Sequence, residues 1–374
     1  MKSDHRRTTN PRHSRDDPLA RSAERSVAFV RLASPHRNRA PHVLIAAAAS
    51  LLLAAHPARD TSLAALRREI TRIAAESGGQ VGAAALHVES GDTVSVQGTT
   101  GFPMQSVFKL PLALSILRRV EAGTLRMDMP VRVTVADLRA GHSPLAERSP
   151  AGGVSLPLRE MLRLAVSESD NTAADLLLRR AGGPAGVTAD LRRLGIRGIR
   201  VDRGEAELAL DVLGIARAPG RGSRDSIAVF APGLSPETRT RALRIYLRDP
   251  RDTATPREMA RLLAMVQRGQ ALRRAGTGEL LRMMTETPRG DARLKALLPA
   301  GTRVAHKPGT SGDAQGVTGV VNDVGLITLP DGTHLAVAVF VRDARRGTAP
   351  AERAIAHIGR ALYDHWGARR RARR

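Results

Sequence analysis

Ser106-Val107-Phe108-Lys109 is the first group of residues able to do chemistry. Ser106 opens a helical run carrying Leu110, Leu114 and Leu117, and a spacing of three places Lys109 one turn on, on the same face. A serine hydroxyl is a weak nucleophile until a base takes its proton, and a partly buried lysine amine of lowered pKa is such a base. A helix N-terminus also presents free N–H groups where an oxyanion would form. The pattern points to acyl transfer, and the bland alternative is a capping serine beside a solvated lysine. The lysine carries extra weight because only four of the 59 basic residues are Lys: Lys2, Lys109, Lys295 and Lys307. Two further groups follow, Ser169-Asp170-Asn171 and Lys307-Pro308-Gly309-Thr310. Read singly, the first is a capped loop before a helix and the second an edge-strand feature.

Positioning these groups requires a scaffold from distant parts of the chain. Ser62 to Ala75 has helical periodicity behind an N-cap serine, and Val81–Val88 and Thr93–Gln97 alternate as strands about a turn at Glu89–Asp92. A long helical stretch runs from Ser106 to about Arg289, broken by Gly/Pro loops. Arg303–His306, Val317–Leu329 and His334–Arg342 read as strands, with Pro330-Asp331-Gly332 turning the last two, and a final helix covers Pro350–Tyr363. The simplest closure is an α+β fold: a five-stranded antiparallel sheet built from both chain ends, terminal helices on one face, and an inserted all-helical domain beside a groove. The expected parts are a leader over 1–58, an α/β domain of 59–100 plus 290–366, a helical domain of 101–289 containing a long Ω-type loop over 203–252, and a basic tail over 367–374.

Composition removes several alternatives. With 374 residues, 42% of them hydrophobic, the chain can bury a sizeable core. No cysteine is present, which excludes disulfides and iron–sulfur chemistry, and the 11 histidines are too far apart for a zinc-hydrolase pair. No metal or cofactor is called for. The net charge of +23 comes from arginines scattered among acids, and aromatics are only 2%, so nucleic acid is not expected as a partner. An apolar run over 43–55 follows Arg37, Arg39 and His42, reads as a signal peptide and is short for a membrane span. The expectation is an exported protein, periplasmic or secreted, monomeric and without stable membrane insertion.

Taken together and in this order, the S-x-x-K, S-D-N and Lys307-Pro308-Gly309-Thr310 groups resemble those of a class A β-lactamase, over roughly residues 60–366. Val166–Ala173, Arg251–Pro256 and Leu297–Thr302 extend the resemblance. It implies a β-lactam substrate and an acyl-enzyme on Ser106. Lys109, or Glu205 through a water, would take the Ser106 proton, and Ser169 would protonate the leaving nitrogen. Asn171 would hold the substrate amide, Lys307 would attract its carboxylate, and the N–H groups of Ser106 and Thr310 would form an oxyanion hole. Glu205, in Arg203-Gly204-Glu205, would drive deacylation, with Arg203 and Asp252 closing its loop.

The chain departs from the family in three places. The stretch from Glu205 to Asp252 is long, Ala209 replaces a water-holding asparagine, and Pro308 removes a hydroxyl beside the substrate carboxylate. Arg293 stands where some class A enzymes place a carboxylate-binding arginine. These departures predict weak or narrow turnover. They also keep in view a related serine acyl hydrolase, of the esterase or D-Ala-D-Ala peptidase kind, and a non-catalytic β-lactam sensor.

Overall fold

Ser62 caps the first helix by accepting a hydrogen bond from the Ala65 N–H at 3.1 Å, and Leu66, Ile70 and Ile73 form its buried face. The computed structural model describes residues 62–216 and 223–368. The apolar run at 43–55, the segment Ala218–Gly222 and the tail Arg369–Arg374 lie outside the described residues.

In chain order the helices are α1 (Leu63–Glu76), α2 (Lys109–Glu121), α3 (Pro144–Arg148), α4 (Leu158–Val166), α5 (Asn171–Arg180), α6 (Gly183–Arg193), α7 (Glu205–Leu213), α8 (Ser223–Phe230), α9 (Pro236–Arg248), α10 (Pro256–Gln267), α11 (Arg274–Thr285) and α12 (Thr348–Ala368). The strands are β1 (Gln80–His87), β2 (Thr93–Val96), β3 (Phe102–Pro103), β4 (Pro130–Val133), β5 (Val154–Pro157), β6 (Thr253–Ala254), β7 (Val304–Thr310), β8 (Asp313–Ala314), β9 (Val317–Thr328) and β10 (His334–Ala344).

Five strands form the main antiparallel sheet in the order β2-β1-β10-β9-β7, and the two-residue β8 folds back on β9. Gln80 pairs with Arg342 and His87 with Leu335, so a strand from each chain end meets at the centre. Alternation decides what each face buries. Val81, Ala83, Ala85, Val337, Val339 and Val341 face α1 and α12, while Ala84, Ala336, Ala338 and Phe340 join the larger core that includes α2, α4, α5 and α10. The α+β arrangement expected from the sequence is therefore present, with both terminal helices on one face.

Three local features differ from the sequence-based expectation. The stretch from Ser106 to Arg289 is not wholly helical: β4 pairs with β5, and β6 returns to pair with β3 just before Ser106. The first strand of the final trio, read as Arg303–His306, spans Val304–Thr310, and Lys307-Pro308-Gly309-Thr310 lies on it as the edge-strand reading expects. That strand is the sheet edge, where a residue without an N–H is tolerated. The last helix begins earlier and ends later than Pro350–Tyr363.

Candidate active site

Ser106 lies in a 3-10 turn, Gln105–Phe108, that runs directly into α2. Gln105 enters the turn with φ of 48°, a left-handed conformation unusual for a side-chain-bearing residue. Two neighbours hold it there. Asn322 of β9 donates from Nδ2 to the Pro103 and Met104 carbonyls at 2.9 and 3.0 Å. Gln105 itself donates from Nε2 to Tyr246 Oη at 2.6 Å. Strand β7 then comes close at Gly309, where a Cβ would lie 2.6 Å from the Met104 carbonyl oxygen. Glycine in Lys307-Pro308-Gly309-Thr310 is thus a condition of bringing that strand against the Ser106 turn.

Lys109, one turn beyond Ser106, is fully buried, and its amine is the hub of the site. Nζ lies 3.2 Å from Ser106 Oγ, 2.7 Å from the Ser169 carbonyl oxygen and 2.7 Å from Asn171 Oδ1. It also forms an ion pair with Glu205 Oε1 at 2.9 Å. The last three are acceptors, a number that matches the three protons of an ammonium.

Ser169 sits at φ of 62°, which aims its hydroxyl back at the lysines while Asp170 starts α5. Asp170 does cap that helix, accepting from Ala173 N at 2.8 Å, and it also receives Leu145 N at 2.7 Å. Capping and placement of Ser169 are therefore one structure. Lys307, also fully buried, donates from Nζ to Ser169 Oγ at 2.9 Å. Burial pushes the Lys307 amine well below the usual lysine range, and the nearby Lys109 charge pushes the same way.

Glu205 is the first residue of α7, and its placement depends on Asp175 of α5. The Asp175 carboxylate accepts from Glu205 N at 2.7 Å and Ala206 N at 3.1 Å, and Arg139 Nε donates to it at 2.6 Å. A side chain at Gly204 would collide with that carboxylate, its Cβ 2.6 Å from Asp175 Oδ1. Arg203 closes the long loop on three carboxylates: Asp252 at 2.5 Å, Asp211 at 2.6 Å and Asp249 at 3.1 Å. The backbone joins in, since Asp252 Oδ1 accepts from Asp202 N at 2.7 Å and Arg203 N at 3.0 Å. These carboxylates raise the Arg203 pKa against the opposing effect of its burial. A loop of this length still delivers Glu205 to Lys109 because both of its ends are fastened here.

Ser106, Lys109, Ser169, Asn171, Glu205 and Lys307 thus form one connected cluster. Thr310 is exposed on β7, and Arg293 lies buried behind that strand. The Arg293 guanidinium donates to the Asn322 and Gly309 carbonyls at 2.8 and 3.1 Å, and to Thr310 Oγ1 at 2.6 Å. It reaches the groove through the Thr310 hydroxyl. Asp175, Gln105, Tyr246, Asn322, Asp211 and Asp249 were not singled out from the sequence as supports. Only Asp175 had a readable signal, an acid on the apolar face of a short helix, Asn171-Thr172-Ala173-Ala174-Asp175-Leu176-Leu177.

A half-buried serine beside a buried lysine–glutamate pair can form and hydrolyse an acyl ester. The profile of the β-lactamase enzyme family matches residues 65–366. The chain belongs to that family. It is 31% identical to the extended-spectrum β-lactamase PER-1 of Pseudomonas aeruginosa, over 86% of this chain and 94% of that one. Among solved structures, a β-lactamase from Chitinophaga pinensis is 35% identical with a TM-score of 0.67, covering 80% of this chain and 98% of that one. An ancestral class A β-lactamase is 32% identical with a TM-score of 0.65, covering 80% and 99%. The protein is a class A serine β-lactamase, and nothing in these relationships favours the esterase, peptidase or sensor readings. Among the described residues no helix is long and apolar enough to cross a membrane.

Proposed function

We propose that Ser106 is the nucleophile that opens the β-lactam ring and that Glu205 drives hydrolysis of the resulting ester. The observation that carries this reading is the single amine of Lys109, 3.2 Å from Ser106 Oγ and 2.9 Å from Glu205. Ser106 Oγ attacks the lactam carbonyl carbon as its proton leaves. Lys109, surrounded by acceptors, takes that proton only after passing one of its own to Glu205; otherwise Glu205 takes it through a water. Ser169, which receives a hydrogen bond from Lys307, gives its own proton to the ring nitrogen as the C–N bond breaks and is reprotonated from Lys109, 3.5 Å away, so that the proton taken from Ser106 is passed on and Glu205 is ionised again before deacylation. The N–H groups of Ser106 and Thr310 serve the oxyanion. In the second half, Glu205 removes a proton from water as the water oxygen adds to the ester carbon, and Ser106 leaves with that proton.

The substrate carboxylate is received by Lys307 and by the Thr310 hydroxyl. Arg293 donates to Thr310 Oγ1, so the hydroxyl proton points away from the guanidinium and is available to the carboxylate. This offsets the hydroxyl missing at Pro308. Asn171 meets the substrate amide through Nδ2. The extended-spectrum name of PER-1 supports turnover broader than Pro308 alone would suggest. The basic flank and apolar run before residue 56 support export, and the enzyme is read as a monomer working in the periplasm or outside the cell.

Time-resolved mass spectrometry of the Glu205→Gln protein with a penicillin tests the assignment. An adduct on Ser106 should accumulate and decay slowly. Turnover at the wild-type rate would remove Glu205 from the role and leave the neighbouring Glu207 as the candidate.

A further inference from the structure

A cavity of about 850 Å³ opens between α9 and the end of the sheet carrying β8, β9 and β10. Its lining joins two kinds of surface. Leu243 and Leu247 of α9 face Ala314 and Val317 of the β8–β9 hairpin to make an apolar wall. Around it stand four arginines, Arg244 and Arg248 from α9, and Arg342 and Arg345 from the end of β10 and the turn after it. One acidic side chain lines the cavity, Asp343, and it is held by Arg345 at 2.8 Å.

Arg345 is neutralised by Asp343, and the other three arginines are not neutralised from within. Among the described residues, no carboxylate pairs with Arg244 or Arg248, and both are exposed. Arg342 is fixed rather than paired: Nε donates to Gln80 Oε1 at 2.9 Å, NH1 donates to the Gly101 carbonyl at 3.3 Å, and the guanidinium lies 5.1 Å from the centre of the Phe102 ring. Like charges gathered at one cleft raise each other's energy, and an anion entering between them relieves that repulsion while gaining charge-assisted hydrogen bonds. The apolar wall excludes a bare inorganic ion as the best occupant, because it would be left uncovered.

We propose that this cleft binds a small free amphiphilic anion, an aromatic or alicyclic body bearing a carboxylate, sulfonate or phosphate. The body lies on Leu243, Leu247 and Val317, and the anionic group is received by Arg244 and Arg248 with Arg342 behind them. Its lining shares no residue with the Ser106 cluster, and the proposal does not depend on how the hydrolytic roles are assigned. One link to the Ser106 turn runs through α9, whose Tyr246 accepts the hydrogen bond of Gln105.

The probe is 8-anilinonaphthalene-1-sulfonate, titrated into the full-length folded enzyme at physiological salt, with uncharged N-phenyl-1-naphthylamine alongside. One saturable site is expected for the sulfonate. The Arg244→Glu/Arg248→Glu pair should weaken it at least tenfold while penicillin turnover, which reports folding, is retained. Should that pair fail to fold, Arg244→Gln/Arg248→Gln is expected to weaken binding in the same direction. Arg132→Glu/Arg159→Glu makes the same change of charge at exposed positions outside the cleft and should leave binding unchanged. Equal weakening by that control would reduce the effect to overall charge and overturn the proposal. So would neutral-dye binding as tight as the sulfonate's, which would leave only an apolar groove. Capture by phosphatidylglycerol vesicles that depends on Arg244 and Arg248, without saturable dye binding, would overturn it in favour of a lipid surface.

Discussion

Tyr246 and Gln105 are 141 positions apart, and the tyrosine hydroxyl oxygen accepts the glutamine Nε2–H at 2.6 Å beside the Ser106 turn. The helix inserted into the long loop therefore supports the segment that carries Ser106. Tyr246 is buried with Leu208 and Leu243, so its ring packs while its hydroxyl bonds. Tyr246→Phe keeps the packing and removes the acceptor, at a cost of about 1–3 kcal/mol if Gln105 is left unsatisfied. Acylation should slow severalfold while the rate of deacylation holds. Single-turnover kinetics with a chromogenic cephalosporin separate the two steps, and equal slowing of both would mean that the contact supports the loop and not the nucleophile.

Arg203 is nearly fully buried among Asp211, Asp249 and Asp252. Arg203→Ala leaves the buried Asp252 without its ion-pair partner, while Asp211 and Asp249 keep Arg251, and breaking a buried pair costs about 3–5 kcal/mol. The melting temperature should fall, and at temperatures where the protein remains folded the acyl-enzyme should live longer, because Glu205 is no longer held. Unchanged acyl-enzyme lifetime in a destabilised variant would show that Asp175 alone positions Glu205.

Lys307 gives a pH signature with two opposite signs. Its amine is held well below the usual lysine value by burial and by Lys109. Attraction for an anionic substrate is lost as pH rises through that depressed pKa, so kcat/KM for a penicillin should fall on the alkaline side below the ordinary lysine value of about 10.4. Over the same window the unfolded chain binds more protons at this residue than the folded one, so this residue makes folding stability rise with pH. Lys307→Arg, which stays charged, should move the alkaline limb of kcat/KM upward and remove that rise from the difference in denaturation profiles. An unmoved limb assigns it to another group.

Thr310 and Pro308 form a matched pair of tests. A hydrogen bond to a charged group is worth about 1.5–3 kcal/mol, so Thr310→Val should lower kcat/KM for penicillins by roughly 10- to 150-fold. Pro308→Thr should gain little, about threefold or less on the same scale, because Thr310 already supplies a hydroxyl. A gain of tenfold or more in Pro308→Thr, with no loss in Thr310→Val, would return carboxylate recognition to position 308 and leave Arg293 as a structural brace.

Much of this architecture was legible because it is local or periodic. Ser62 announced α1, alternating apolar residues announced β1, β9 and β10, and the three-residue spacing of Ser106 and Lys109 carried its own geometry. The two-residue strands β3 and β6 were not legible, since no period fits into two residues. Neither was the clasp on Arg203: the Arg203–Asp252 pair followed from the resemblance, but Asp211 and Asp249 join it only through the fold of α7 and α9. Asn322 looked like one more polar residue in a strand, and its two hydrogen bonds to the chain before Ser106 exist only once β9 lies against that segment.

The central pairing of β1 with β10 joins Gln80 to Arg342, residues 262 positions apart. A ribosome must therefore complete almost the whole chain before the middle of the sheet can close. Until then β9, which carries Asn322, pairs only with β7 and β8 and has no partner on its other side. The order of synthesis leaves the centre of the sheet open until β10 is made, and a stop codon upstream of β10 removes the strand that joins β1 to β9 rather than trimming an edge.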